Sequence, residues 1–125
     1  MAKELPPHVE AFIARYLQSV DDLDLLAKLV EESDRWWDAD VIVRELGISK
    51  NEAQRALERL ATANLLEVRL TVSVRYRFHP GSDDVKHAAT ACADIYRDNP
   101  VAVVRAIARD EPRRRARTAL SRNGM

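Results

Sequence analysis

Apolar side chains recur along this chain first at helical spacing and later at strand spacing. After Pro6-Pro7, the residues Val9, Phe12, Ile13, Tyr16, Leu17 and Val20 fall on one stripe of a helix, predicting a first helix over residues 7–19. Asp21 or Asp22 then caps a second helix, with Leu23, Leu26, Leu29 and Val30 inward, before Glu31-Glu32-Ser33-Asp34 turns polar. A third helix fits Ala39 to Leu46. Asp38 caps it, Val41, Ile42 and Leu46 face inward, and Gly47 supplies the backbone freedom to stop it. Ser49 followed three residues later by Glu52 is the spacing of a capping box, so a fourth helix starts at Lys50. Its inward face is Ala53, Leu57 and Leu60, and Asn64 stands where a left-handed residue ends it.

From Leu65 the period becomes two. Leu66, Val68 and Leu70 alternate with Glu67 and Arg69, and Val72, Val74, Tyr76 and Phe78 alternate with Ser73, Arg75 and Arg77, which predicts a hairpin. Ser82 or Asp83 opens a fifth helix with the narrow stripe Val85, Ala89, Cys92 and Tyr96. Asn99-Pro100 starts a sixth with Val103, Val104 and Ile107 inward. The pattern predicts a mainly α chain with one small β-hairpin. It forms a single domain over 1–110, made of a helical pair at 7–33, a core at 36–80 and a second helical pair at 82–109. Residues 111–125 offer almost no apolar surface and read as a basic, disordered tail.

At 125 residues the chain has the size of one domain, and 46% hydrophobic against 32% charged residues is the balance of a folded chain in water. No apolar run approaches the length of a membrane span and the first residues lack the apolar core of a signal peptide, so a cytoplasmic protein without a membrane partner is expected. One cysteine, Cys92, excludes an internal disulfide and a multi-thiolate zinc site. The net charge of zero hides an asymmetry. Residues 1–40 carry four basic and ten acidic groups, residues 41–80 seven and four, and residues 81–125 nine and six. An anionic partner therefore meets the middle or the end of the chain, and a protein partner has the acidic N-terminal helices available.

The segment Glu45 to Glu67, ELGISKNEAQRALERLATANLLE, resembles the winged helix-turn-helix of MarR-type regulators. Leu46-Gly47-Ile48-Ser49 matches the turn, Lys50 to Ala63 the recognition helix, and Leu65-Leu66-Glu67 the start of the wing. The resemblance covers Trp36 to Pro80. It departs at Asn64, where glycine is usual, and in a short wing without glycine. It implies a transcription regulator that binds double-stranded DNA. In such a fold the outward residues of the fourth helix, Lys50, Asn51, Gln54, Arg55 and Arg59, meet the major groove. Gln54 and Arg55 suit base edges, since Gln pairs with adenine and Arg with guanine through two bonds each, and Lys50 suits phosphate. Arg69, Arg75 and Arg77 alternate on one hairpin face as phosphate contacts require. The flanking helical pairs resemble the dimerisation helices of these regulators, and the small surface Ala88, Ala89, Cys92 and Ala93 allows close helix approach, so a homodimer is expected.

The same residues also fit a solvated charged face on an ordinary helix and hairpin, which Glu52 and Glu58 favour because phosphate repels carboxylates. The alternative function is a protein-binding winged-helix adaptor. Adjacent Trp36 and Trp37 bear on it. Extended backbone turns them to opposite sides, placing one in the core and one toward a partner, whereas a second arrangement half-buries both. The tail arginines Arg113, Arg114, Arg115 and Arg117 would add non-specific phosphate attraction or simply solubility. No enzyme and no cofactor are expected: there is no glycine-rich phosphate loop and no serine elbow. Asp83, His87 and His79 make too sparse a set for a metal, and Cys92 reads as a packed thiol.

Overall fold

The computed structural model describes residues 5–109, in which five named helices and a hairpin follow one another as α1 (Pro7–Tyr16), α2 (Val20–Glu31), α3 (Ala39–Leu46), α4 (Lys50–Thr62), β1 (Leu66–Leu70), β2 (Val74–Phe78) and α5 (Asp83–Asp98). A further helical stretch, α6, covers residues 100–109. The tail expected at 111–125, with its arginines, lies outside the described residues.

The architecture is a mainly α fold with a small β wing, of the winged-helix type, flanked by helices on both sides. One buried cluster draws on all of these elements except β1's outer half. It includes Val9, Phe12 and Ile13 of α1, Leu23, Leu25, Leu26 and Leu29 of α2, Ile42 of α3, Leu57 and Leu60 of α4, and Ala89 and Cys92 of α5. Val103 and Ile107 close it from α6. Among the described residues no helix is long and apolar enough to cross a membrane.

Local signals place most boundaries. Asp38 accepts the Val41 amide at 2.9 Å, Gly47 stops α3 at φ 70°, and Ser49 accepts the Glu52 amide at 3.1 Å. Asn64 takes the left-handed conformation, φ 67°, and Ser82 accepts the Val85 amide to start α5. Two boundaries differ from the sequence reading. The first helix ends at Tyr16 rather than 19, because Leu17 turns extended and Ser19 is needed as the cap of α2. Ser19 accepts the Asp22 amide at 3.2 Å, whereas Asp21 lies in the first turn and Asp22 points back to accept the Gln18 amide at 2.8 Å. The pair is a capping box displaced by one residue on its return side.

The small-residue stripe of α5 is consumed inside the subunit. Ala88, Ala89, Cys92 and Ala93 are all buried, and α5 packs on α1 and α2, so the close approach these residues permit is between helices of one chain. Burial pushes the Cys92 thiol up from 9.0 to about 12, which keeps it protonated and unreactive.

Candidate nucleic-acid interface

The turn between α3 and α4 fixes how α4 is presented. Gly47 reverses the chain, Ile48 is half-buried beneath it, and the Ser49 cap satisfies an amide that would otherwise face the turn unpaired. Ala53, Ala56, Leu57 and Leu60 bury one side of α4 and leave Lys50, Asn51, Gln54, Arg55 and Glu58 exposed on the other. Lys50 Nζ lies 3.4 Å from Asp40 Oδ1 across the turn, with both side chains more than half exposed, a contact that solvent makes cheap to exchange. Arg55 has no carboxylate partner among the described residues.

Arg59 stands apart from the residues grouped with it by sequence. Its guanidinium forms an ion pair with Oδ1 of Asp22, a residue only 2% exposed, and its Nε is itself buried. The side chain is therefore turned into the subunit, joining α4 to α2, one helical turn beyond the exposed Arg55.

The wing pairs Leu66 with Phe78, Glu67 with Arg77, Val68 with Tyr76, Arg69 with Arg75 and Leu70 with Val74. Trp37 adds one residue of a third strand on the other side of β2, exchanging two backbone bonds of 2.7 Å with Tyr76. This bridge settles the tryptophan pair. Trp37 is fully buried, with the Arg35 guanidinium 3.9 Å above its ring, while Trp36 is half-buried on the opposite face. There Arg77 and Arg69 approach the Trp36 ring to 4.6 and 5.1 Å.

The three wing arginines are thus not equivalent. Arg77 donates to Glu67 at 2.9 Å, a bond that, with the positive charges of Arg77, His79 and Arg69, holds the Glu67 carboxyl below its ordinary pKa. Arg69 leans on Trp36. Arg75 is exposed without an ion-pair partner among the described residues, directly across from Arg69, and like charges in that position repel. The exposed polar surface thus has two parts: the N-terminal half of α4 with Lys50, Asn51, Gln54 and Arg55, and the outer face of the wing with Arg69 and Arg75.

Three features escape the sequence reading: the Asp22–Arg59 clasp, the Arg–Trp36–Arg stack, and the exposure of the wing's apolar face. Val68, Leu70 and Val74 continue the inward face of Leu66, Tyr76 and Phe78 beyond the point where the core ends, and Val72 crowns the tip. Strict alternation carries that signal, yet nothing in it marks where the helices stop covering the sheet.

Among the described residues no group of three or more His, Cys, Asp or Glu is placed to hold a metal ion. Two surface clefts, one between α1 and α5 beside Phe12 and Tyr16 and one between α2 and α5 beside Val30 and Tyr96, include no residue of α3, α4 or the wing. Searched against family models, curated proteins and solved structures, the chain matches none.

Proposed function

We propose that this protein is a sequence-specific, double-stranded-DNA-binding transcription regulator of MarR-like type, a binding protein rather than an enzyme. The observation that carries the proposal is the exposed N-terminal half of α4. Behind a capped turn it presents Gln54 and Arg55, two side chains able to make paired hydrogen bonds to base edges, with Lys50 and Asn51 beside them. Arg75, with Arg69 across from it, supplies the phosphate contact that fixes the register on the duplex. Arg59 and Arg77 are left out, since Asp22 and Glu67 engage them. Enrichment of one motif from a random duplex pool, lost on Arg55→Ala, tests the proposal.

A protein-binding adaptor is the second reading, favoured by one observation: Leu70 and Val72 at the wing tip are 78% and 104% exposed, which suits a protein surface better than a phosphate backbone. On that reading motif enrichment is absent and substitutions at the wing tip abolish partner capture.

A further inference from the structure

The hairpin has a bare edge along β1. β2 is paired with β1 on one side and bonded to Trp37 at Tyr76 on the other, whereas β1 has no strand partner other than β2 among the described residues. Two backbone bonds fix which of its residues face outward. His79 donates to the Leu65 carbonyl at 2.9 Å and Thr71 to the Ser73 carbonyl at 3.1 Å, both in the register of the ladder. Hydrogen-bonded positions alternate along an antiparallel pair, so residues 65, 67, 69 and 71 address β2. Leu66, Val68 and Leu70 hence turn their N–H and C=O groups away from it. No proline, no lysine and no bulge interrupts Leu66–Leu70, and its two charges, Glu67 and Arg69, are of opposite sign.

The five residues on this edge are complementary to themselves. We propose that two copies of this chain pair antiparallel through β1, with Val68 on the two-fold axis, joining both hairpins into one continuous sheet. In that register Val68 meets Val68 of the second copy, and Leu66 meets Leu70. These are the positions whose backbone groups point outward, so the hydrogen-bond phase and the side-chain register select the same alignment. Glu67 then stands opposite Arg69 of the second copy, twice by symmetry, in the closer, non-hydrogen-bonded type of pair. A shift by one residue puts outward groups against inward ones, and a shift by two leaves Arg69 without the carboxylate.

Pairing also relieves two features that the single subunit leaves strained in energy. Arg69, facing the like charge of Arg75, gains a share of the second copy's Glu67 carboxylate, which Arg77 of that copy also engages. Val68, 51% exposed, and Leu70 gain apolar neighbours across the new seam. Arg75 remains outside the seam, so each subunit of the dimer keeps it for an anionic partner, while Arg69 is given over to the carboxylate of the second copy and leaves the phosphate contact to Arg75. The surface involved is distinct from the small-residue stripe of α5, which the subunit's own helices cover.

Sedimentation of the full chain up to about 200 µM tests this, paired with two variants. Arg69→Glu puts two carboxylates against each other at both symmetric positions, yet within the subunit the new carboxylate opposite Arg75 offsets the lost contact with Trp36, so the hairpin itself is kept. It is expected to weaken dimerisation by about tenfold or more while leaving the circular dichroism unchanged. In a Cys92→Ala background, Val68→Cys is expected to oxidise to a covalent dimer, because hydrogen-bonded antiparallel partners sit about 5.5 Å apart at Cα, within disulfide reach. Val74→Cys on β2, away from the seam, is expected to form no covalent dimer while still associating like the parent chain. A chain that remains monomeric at the highest concentration overturns the proposal. So does a dimer that survives Arg69→Glu and fails to cross-link through position 68, since it would be held by another face.

Discussion

Arg59 of α4 reaches Asp22 of α2, and the two form a clasp across 37 residues of sequence around the one buried charged side chain among the described residues. The clasp ties α4 to α2 one helical turn beyond Arg55. The Asp22 carboxylate is further held by the Gln18 amide, so both of its oxygens are engaged.

Removing the cation leaves that carboxylate buried without its counter-charge. Arg59→Met should therefore lower unfolding free energy by about 2 kcal/mol, below the full cost of breaking a wholly buried pair because the Arg59 side chain is a third exposed. In the double variant Asp22→Asn with Arg59→Met, the loss should be smaller than the sum of the single losses. Urea unfolding of the four proteins measures both. Under the proposed DNA reading, the folded Arg59→Met protein should bind duplex as the wild type does, which separates Arg59 from Arg55 although the two lie one helical turn apart.

Under the same reading, Arg55→Ala should cost about 1–3 kcal/mol on the preferred duplex and relax selection at one base position. Competition binding against a set of single-base variants of the site reads this directly. Equal weakening on every duplex would instead make Arg55 a phosphate contact.

Arg75→Ala should weaken binding to all duplexes alike and lower the slope of log affinity against log salt by about one. Arg77→Ala should act differently. It frees Glu67 and uncovers Trp36, so its first effect should be on the thermal stability of the wing. Binding isotherms at several salt concentrations, beside melting curves, distinguish the two.

Tyr96 donates its hydroxyl to Oδ1 of Asp24, and that bond, with burial, raises the phenol from 10.0 to about 12. The folded state thus holds its proton after the unfolded chain has lost it. The contribution of Tyr96 to stability is whole below pH 10 and is lost as pH rises from 10 to about 12. Tyr96→Phe should cost about 1 kcal/mol at pH 7 and show a shallower alkaline loss over that window, checked by melting temperatures across the range.

Boundaries set by residues within four positions of one another were legible in the sequence: Asp38 and Ser49 as caps, Gly47 and Asn64 as left-handed stops, and the alternation that makes the hairpin. What it concealed depends on distant neighbours. Ser19, Asp21 and Asp22 are all competent caps, and the choice falls to Ser19 because Asp22 is taken by a guanidinium far along the chain. Arg55 and Arg59 look alike in a helical pattern, and only the presence of α2 near the end of α4 tells them apart. The α5 stripe of small residues signals close packing without saying against what, and here the partners are α1 and α2. For the site, the exposed half of α4 was visible from its period, while the division of labour among Arg69, Arg75 and Arg77 depended on the strand register and on where Trp36 lies.

The most direct measurement of DNA reading by α4 is selection from a random duplex pool at two salt concentrations, with the wild-type chain and Arg55→Ala side by side. Sequence-specific binding predicts one enriched motif at both salt concentrations, with a single position losing its preference in Arg55→Ala. Binding that enriches no motif and vanishes by moderate salt would contradict it.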